Sequence, residues 1–145
     1  MVGCGKVKRD SESLAWLLYD SGYAHLKMTV AILVGQPYIV SAKHGLIPPN
    51  ERVEPYEKSI YELSAAERRE LGRQVAADIP DHYDEVVFLA GKKYRNPIIE
   101  ALDDSFDVIN PFESDELKGQ GDQQGWLKQA AQELVEGKSL DQVLV

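Results

Sequence analysis

Apolar residues follow two kinds of pattern along this chain. Short continuous apolar runs alternate with longer stretches in which apolar residues recur every three or four positions. A continuous run is typical of a strand covered on both faces, and the longer spacing is typical of a helix that packs by one face. Their alternation along one chain predicts the α/β fold class.

Four stretches have the helical spacing. Ser64 and Glu67 form a capping-box pattern, which predicts the start of a helix. Gly35 and Gly137 follow two other stretches and are typical C-terminal stops. Helices are therefore predicted over residues 21–34, 64–79, 96–102 and 126–137.

Three continuous runs predict strands, over residues 37–40, 85–90 and 106–109. Residues 1–5 resemble the end of a strand followed by a turn, so the first strand is either very short or truncated. The chain has no internal repeat, low-complexity tract or linker, and residues 1–145 are expected to form a single domain. Residues 138–145 are expected to be a loosely packed tail.

Composition narrows the class of protein. The 145 residues have a mass of 16.2 kDa and are 43% hydrophobic, as expected of one globular domain. No run approaches the roughly 20 apolar residues that a membrane span needs, so no membrane partner is predicted. The start of the chain leaves no room for a signal peptide, and the single Cys4 cannot form an internal disulfide, so a cytoplasmic location is expected. One cysteine and three scattered histidines lack the spacing of a zinc site, and neither a metal nor a cofactor is predicted.

Charge is distributed unevenly along the chain. Its 16 Lys and Arg residues stand against 24 Asp and Glu residues, a net charge of −8, which argues against unselective coating of nucleic acid. Three predicted loops reverse this balance: residues 4–10 (CGKVKRD), 41–45 (SAKHG) and 91–95 (GKKYR). They carry seven cations against one carboxylate, a net charge of +6, which leaves −14 for the rest of the chain.

These loops follow predicted strands, at the edge of the sheet where α/β proteins bind ligands. The concentration of cations there predicts an anion site, and phosphate is the expected anion. The alternative is that short exposed loops are rich in lysine by chance.

The segment from residue 41 to residue 60 is long and rich in proline and charge, which favours an ordered functional loop over a simple connector. The segment contains a carboxylate (Glu54), an imidazole (His44), an amine (Lys43) and a phenol (Tyr56). Such groups are suited to proton transfer or to the stabilisation of an oxocarbenium ion. The alternative is a structural network in which Glu54 forms an ion pair with Arg52 or Lys43. The candidate catalytic residues are Glu54, His44, Lys43 and Tyr56.

Cys4 lies between two glycines and beside Lys6 and Lys8, an electropositive setting that favours a thiolate nucleophile. The alternative is that Cys4 has only a structural role, as a small residue that fits a tight turn.

Six ordered motifs make the chain resemble a family of small bacterial, archaeal and phage proteins of uncharacterised function. The motifs are CGKxK, LY, LSAKHGL, a later PY, LAGxxY and GxGxQxxWL. They correspond here to residues 4–8, 18–19, 40–46, 53–56, 89–94 and 119–127. The PY segment is also similar to a loop of the larger YaaA peroxide-stress proteins, which are associated with DNA binding.

The resemblance implies a Rossmann-like three-layer sandwich with a mostly parallel sheet of about four strands. It also implies nucleic acid or nucleobase chemistry at the loops selected by charge, because relatives resemble DNA-base-handling and deoxyribosyltransferase-like proteins. DNA or a nucleotide is therefore the expected partner. The residues expected to bind substrate or phosphate are Cys4, Gly5, Lys6, Lys8, Ser41, Gly91, Lys92, Tyr94, Arg95 and Gln123.

The leading hypothesis is an enzyme that cleaves an N-glycosidic bond of a nucleotide or of a modified base in DNA. Loop cations hold phosphate, Tyr56 or Tyr94 stacks on the base or sugar, and Glu54 with His44 stabilises the developing cation or activates water. One alternative is a noncatalytic, YaaA-like module that binds DNA or a nucleotide through the same loops. Another is a phosphate-releasing nucleotide hydrolase, which is disfavoured because the sequence lacks the acidic metal cluster such enzymes need.

Overall fold

The computed structural model describes residues 1–144, along which short strands alternate with helices. The strands are β1 (Val2–Gly3), β2 (Ser13–Leu14), β3 (Ile39–Ser41), β4 (Gly45–Ile47), β5 (Arg52–Val53), β6 (Glu85–Val87) and β7 (Asp107–Ile109). The helices are α1 (Ala15–Leu18), α2 (Gly22–Val34), α3 (Ala65–Asp78), α4 (Lys92–Ala101), α5 (Gln120–Val135) and α6 (Leu140–Leu144). Single 3₁₀ turns are formed by Ile60–Glu62, Pro111–Glu113 and Asp115–Leu117.

The strands form three small sheets. β1 pairs in parallel with β3, and β3 pairs antiparallel with β4. β2 and β5 form an antiparallel pair, and β6 and β7 form a parallel pair. A single parallel bridge between Val2 and Leu89 links β1 to the segment that follows β6. The fold is mixed α/β, and the expected Rossmann-like three-layer sandwich with a mostly parallel sheet of about four strands is wrong.

The turn after β3 is one physical reason for this difference. Ser41 Oγ accepts the backbone N–H groups of Lys43 and His44, each at 3.1 Å, which closes a tight turn. Gly45 has a φ of +71°, a left-handed conformation that glycine adopts without steric strain. The chain therefore returns at once as the antiparallel strand β4, whereas a parallel neighbour needs a long crossover connection.

The strongest helix signals are confirmed. α2 begins after Ser21, whose Oγ accepts the N–H of Ala24 at 3.1 Å, and it ends at Gly35. α3 begins with the expected capping box, in which Ser64 and Glu67 each satisfy a backbone N–H group of the other.

α4 begins four residues earlier than predicted, at Lys92 directly after Gly91. Pro97 lies inside this helix, where a proline cannot donate a backbone hydrogen bond, and α4 packs against α3. The KKYR segment is therefore the first turn of a helix and not a loop. α5 likewise begins before its predicted start, at Gln120.

The helices α3 and α4 approach each other closely at Gly72. An added Cβ at this position would lie 2.4 Å from the carbonyl oxygen of Pro97, so only glycine fits. Near the end of the described chain, α6 contributes Val143 to a core cluster that also contains Leu127. None of the helices within residues 1–144 has the length and apolar character needed to cross a lipid bilayer.

Candidate functional site

A large open cleft lies between the end of β1, the first turn of α4 and the first turn of α5. Its volume is about 1160 Å³. The 3₁₀ turn Ile60–Glu62 forms part of the wall, and α2 contributes Tyr23 and Lys27. The cleft therefore brings together segments that lie far apart along the chain, including two of the three loops selected by charge.

Cations dominate the lining of this cleft. Among the described residues, eight cationic side chains and four carboxylates line it, a net charge of +4. Since the whole chain carries −8, the remainder carries −12. The cations are Lys6, Lys8, Lys27, Lys58, Lys92, Lys93, Arg95 and Lys118, and the carboxylates are those of Glu57, Glu62, Glu113 and Asp115.

Two of these cations are buried. Lys27 is 7% exposed; its Nζ donates to the carbonyl oxygen of Gly3 at 3.0 Å and lies 4.4 Å from the centre of the Tyr23 ring. Arg95 is 3% exposed and donates through Nη1 to the carbonyl oxygen of Ala90 at 3.0 Å. Burial lowers the pKa of Lys27 from its usual 10.5 to about 8. Within residues 1–144, neither cation forms an ion pair with a carboxylate, and Arg95 Nε has no hydrogen-bond partner.

The first turn of α4 adds backbone donors to the cleft. The first N–H groups of a helix have no acceptor within it, and among residues 1–144 no side chain caps those of α4. Gly91, Lys92 and Lys93 all line the cleft. The start of a helix attracts anions, and the two lysines reinforce that attraction.

A contact between Cys4 and Tyr94 joins the turn after β1 to the first turn of α4 at the cleft. The Cys4 Sγ and the Tyr94 hydroxyl oxygen lie 2.8 Å apart and form a hydrogen bond. Cys4 is the one cysteine of the chain and is half-buried. This contact holds the turn after β1 against the first turn of α4.

A buried chain of three hydroxyl groups lies beside this pair. The Tyr56 hydroxyl oxygen is 2.5 Å from Ser41 Oγ and 2.5 Å from the Tyr19 hydroxyl oxygen. Because Ser41 Oγ accepts two backbone N–H groups, its own proton is donated to Tyr56. The hydrogen bond between Tyr19 and Tyr56 uses the proton of one of the two phenols, so the proton of the other phenol is left for a further acceptor. Of the two tyrosines, Tyr56 is the one that lines the cleft.

The phenols beside Cys4 stay protonated at neutral pH. Burial is the main cause of their raised pKa values, and the charge that Cys4 carries when ionised contributes further. The pKa of Tyr19 is raised to about 12, and the pKa values of Tyr56 and Tyr94 are raised above their usual range. These side chains are therefore hydrogen-bond donors rather than general bases.

Three cationic or imidazole side chains surround the Tyr56 ring. Lys8 Nζ lies 4.6 Å and Lys43 Nζ lies 5.7 Å from its centre, and the His44 ring meets it edge to face at 5.0 Å. Partial burial, followed by the charge of Lys43, lowers the pKa of His44, which is therefore mostly neutral at pH 7.

The cleft gathers most of the side chains selected from the sequence, but not all of them. Ser41 lies behind Tyr56, and Lys43 and His44 contact Tyr56 without lining the cleft. Glu54 is exposed, lies outside the lining and has no ion pair within the described chain. The selected residues that line the cleft are Cys4, Gly5, Lys6, Lys8, Tyr56, Gly91, Lys92, Tyr94, Arg95 and Gln123.

Sequence reasoning missed several lining residues. Lys27 had a detectable signal, because it is a lysine four residues after Tyr23 on the inner face of a predicted helix. Glu57 follows Tyr56 directly and had no separate signal. The other lining residues that were missed include Tyr23, Lys58, Tyr61 and Lys118. Gln123 is fixed by Tyr23, whose hydroxyl donates to Gln123 Oε1, and it donates in turn to the carbonyl oxygen of Leu117 at 2.8 Å.

Within residues 1–144, no group of three or more His, Cys, Asp or Glu side chains is arranged to hold a metal ion. The lining instead offers ammonium, guanidinium, phenol and backbone N–H donors. Such a set suits a ligand rich in anionic oxygen atoms.

Residues 1–129 match the family model DUF6884, which is described as a family of unknown function. The chain has no significant match among curated proteins or among solved structures. Because the family model spans all of the segments that line the cleft, the site belongs to the part of the chain that the family shares. The chain is a member of the DUF6884 family.

Proposed function

We propose that the cleft binds a nucleotide or a nucleic-acid strand through its phosphate groups. The observation that carries this proposal is the concentration of eight cations in the cleft of an acidic protein, two of which are buried and, within residues 1–144, form no ion pair with a carboxylate. A buried cation is costly unless an opposite charge compensates it. A bound phosphate supplies that charge at Lys27 and Arg95.

The first turn of α4 supports the same ligand class. Phosphate oxygens accept hydrogen bonds from uncapped backbone N–H groups at helix starts, and here Lys92 and Lys93 stand at that turn. The resemblance to YaaA proteins also favours nucleic acid and stays a prediction.

The experiment is a binding titration with a fluorescein-labelled single-stranded oligonucleotide, followed by anisotropy at several salt concentrations. We expect the logarithm of the binding constant to fall steeply with the logarithm of salt concentration, because bound counterions are released. Lys92→Ala should weaken binding and reduce the slope by about 0.7, the value for one phosphate contact on a single strand.

Lys128→Ala is the matched control, since Lys128 is an exposed lysine of α5 outside this cleft. Equal losses in the two variants would show that binding follows total charge and not the cleft. Competition with thymidine monophosphate distinguishes the two ligand classes: displacement of the labelled strand indicates a nucleotide site, and no displacement indicates a site for a strand.

A second candidate function is cleavage of an N-glycosidic bond. The observation that favours it is the position of Glu57, a carboxylate that lines the cationic cleft next to Tyr56 in the chain. A carboxylate facing the sugar stabilises a developing oxocarbenium ion or activates water, while the cations hold phosphate. In this proposal Glu57 takes the role that the sequence suggested for Glu54.

Mass spectrometry of small molecules released from plain and heavily modified DNA tests this candidate. We expect a free base with the wild type and with Glu54→Gln, and none with Glu57→Gln. Release that survives Glu57→Gln but stops in Glu54→Gln would return the role to Glu54. If no base is released from any substrate and the DNA is retained in a salt-sensitive way, cleavage is rejected and only the binding function remains.

A further inference from the structure

Tyr61 is the most exposed of the seven tyrosines in the chain. Its side chain is 72% exposed, whereas Tyr19 and Tyr56 are 5% and 7% exposed. Tyr61 lines the cationic cleft beside Ser59 and Glu62. A large aromatic ring left in water at the rim of a binding cleft is available to a ligand.

The turn that carries this ring has an anchored backbone. Tyr61 is the middle residue of the 3₁₀ turn Ile60–Glu62, which is closed by a capping box between Ser59 and Glu62. Ile60 is 3% exposed and anchors the turn in the core. The ring is therefore presented by a rigid turn and not by a loose loop.

Lys93 adds a cation to one face of the ring. Its Nζ lies 5.4 Å from the centre of the Tyr61 ring, and Lys93 also belongs to the first turn of α4. A base that stacks on Tyr61 thus lies beside the donors proposed to hold its phosphate. An aromatic platform next to a cationic groove is the arrangement by which proteins bind unpaired bases.

Tyr56 and Tyr94 are poorly suited to this role. Tyr56 is buried and hydrogen-bonded to Ser41 and Tyr19, and Tyr94 is half-buried and hydrogen-bonded to Cys4. Stacking needs an open ring face, which an exposed ring supplies.

We propose that Tyr61 is the stacking platform for an unpaired nucleobase of the phosphate-bearing ligand, an inference that rests on the proposed function. It narrows the ligand class to single strands, unpaired bases or free nucleotides, because a base inside a duplex has no free face to offer.

The test compares a labelled oligothymidylate with the same backbone carrying abasic tetrahydrofuran units, by anisotropy at one salt concentration. Tyr61→Ala should weaken binding of the oligothymidylate roughly 5- to 150-fold, the usual range for loss of one base stack. It should change binding of the abasic strand by less than about twofold, since the phosphate contacts remain. Tyr61→Phe should bind both strands like the wild type. Competition with thymidine monophosphate shows whether the stacked base can come from a free nucleotide.

Val135→Ala is the control for removal of an exposed apolar side chain, because Val135 is 73% exposed and lies outside the cleft. Equal weakening of both strands by Tyr61→Ala, or no weakening of either, would overturn the inference while leaving phosphate binding in place. If the wild type binds neither strand, the proposed function fails and the inference fails with it.

Discussion

The Sγ of Cys4 lies 2.8 Å from the hydroxyl oxygen of Tyr94, although the two residues are 90 positions apart in the chain. This hydrogen bond joins the turn after β1 to the first turn of α4, at the edge of the cationic cleft. We therefore expect a ligand that contacts both turns to cover the thiol.

Cys4 reports on occupancy of the cleft because it is the one cysteine in the chain. We expect labelling of its thiol by a disulfide reagent to slow about tenfold when an oligonucleotide is present at ten times its dissociation constant, since about nine sites in ten are then occupied. Absorbance of the released thiolate measures the rate. The same oligonucleotide should give no protection in urea, and an unchanged rate in the folded protein would show that the ligand lies elsewhere.

Ser41 and Tyr56 are expected to stabilise the fold as a coupled pair. Ser41→Ala removes the acceptor of two backbone N–H groups and the donor to Tyr56, which should lower the free energy of unfolding by about 1–3 kcal/mol. Urea denaturation of Ser41→Ala, Tyr56→Phe and the double variant completes a mutant cycle. We expect a coupling energy of roughly 0.5 kcal/mol or more. Purely additive losses would contradict the hydroxyl chain.

Gly72→Ala should destabilise the protein, even though alanine usually favours a helix. The added Cβ would overlap the Pro97 carbonyl, and overpacking of this kind costs about 1–3 kcal/mol. Gly125→Ala in α5 is the matched control, because no described atom lies within 4 Å of its added Cβ, and it should stabilise the protein by about 0.5–1 kcal/mol. Urea denaturation of both variants measures the difference. A Gly72→Ala protein as stable as the wild type would show that α3 and α4 can separate at little cost.

Lys27 should make stability depend on pH under alkaline conditions. Its pKa is about 8 in the folded protein and 10.5 when unfolded, so between these values the unfolded chain binds more protons and stability rises with pH. Below pH 8 the penalty for burying the charged amine is fully present, and it amounts to about 3 kcal/mol at 1.36 kcal/mol per pKa unit. Above pH 10.5 it is gone.

Lys27→Met removes this penalty and keeps most of the side-chain volume. Because the variant also loses the hydrogen bond to the Gly3 carbonyl, the informative quantity is the gap in free energy of unfolding, variant minus wild type, measured in urea. This gap should fall by about 3 kcal/mol between pH 8 and pH 10.5. A gap that does not change with pH would mean that Lys27 titrates at its ordinary value in the folded protein.

Local signals predicted α2 and α3 closely because their ends are set by neighbouring residues, whereas α4 and α5, for which the described residues supply no side-chain cap, begin earlier than predicted. The Ser64–Glu67 box and the Gly35 stop depend on contacts within a few positions. The sheets depend on pairing partners that local sequence does not identify. Nothing in the SAKHG segment alone shows that Ser41 Oγ closes a turn and sends β4 back beside β3.

Charge located most of the cleft because most of the cations of two of the selected segments, those after β1 and β6, lie in its lining. Lys6, Lys8, Lys92 and Arg95 are all in the lining. The path of the irregular segment after β5 could not be derived in this way. That path leaves Glu54 exposed and puts Glu57 and Tyr61 in the cleft lining, a choice made by tertiary packing around Tyr56 and Ile60.

The separation of a +4 cleft from a −12 remainder gives the molecule an electric dipole. The net acidic remainder repels an approaching polyanion, and the resulting torque turns the cleft toward it before contact. The acidic surface therefore affects how the protein is oriented when it meets a polyanion, as well as how often the two meet. Added salt should slow association more than it speeds dissociation, because the Debye length shrinks to about 8 Å at physiological ionic strength.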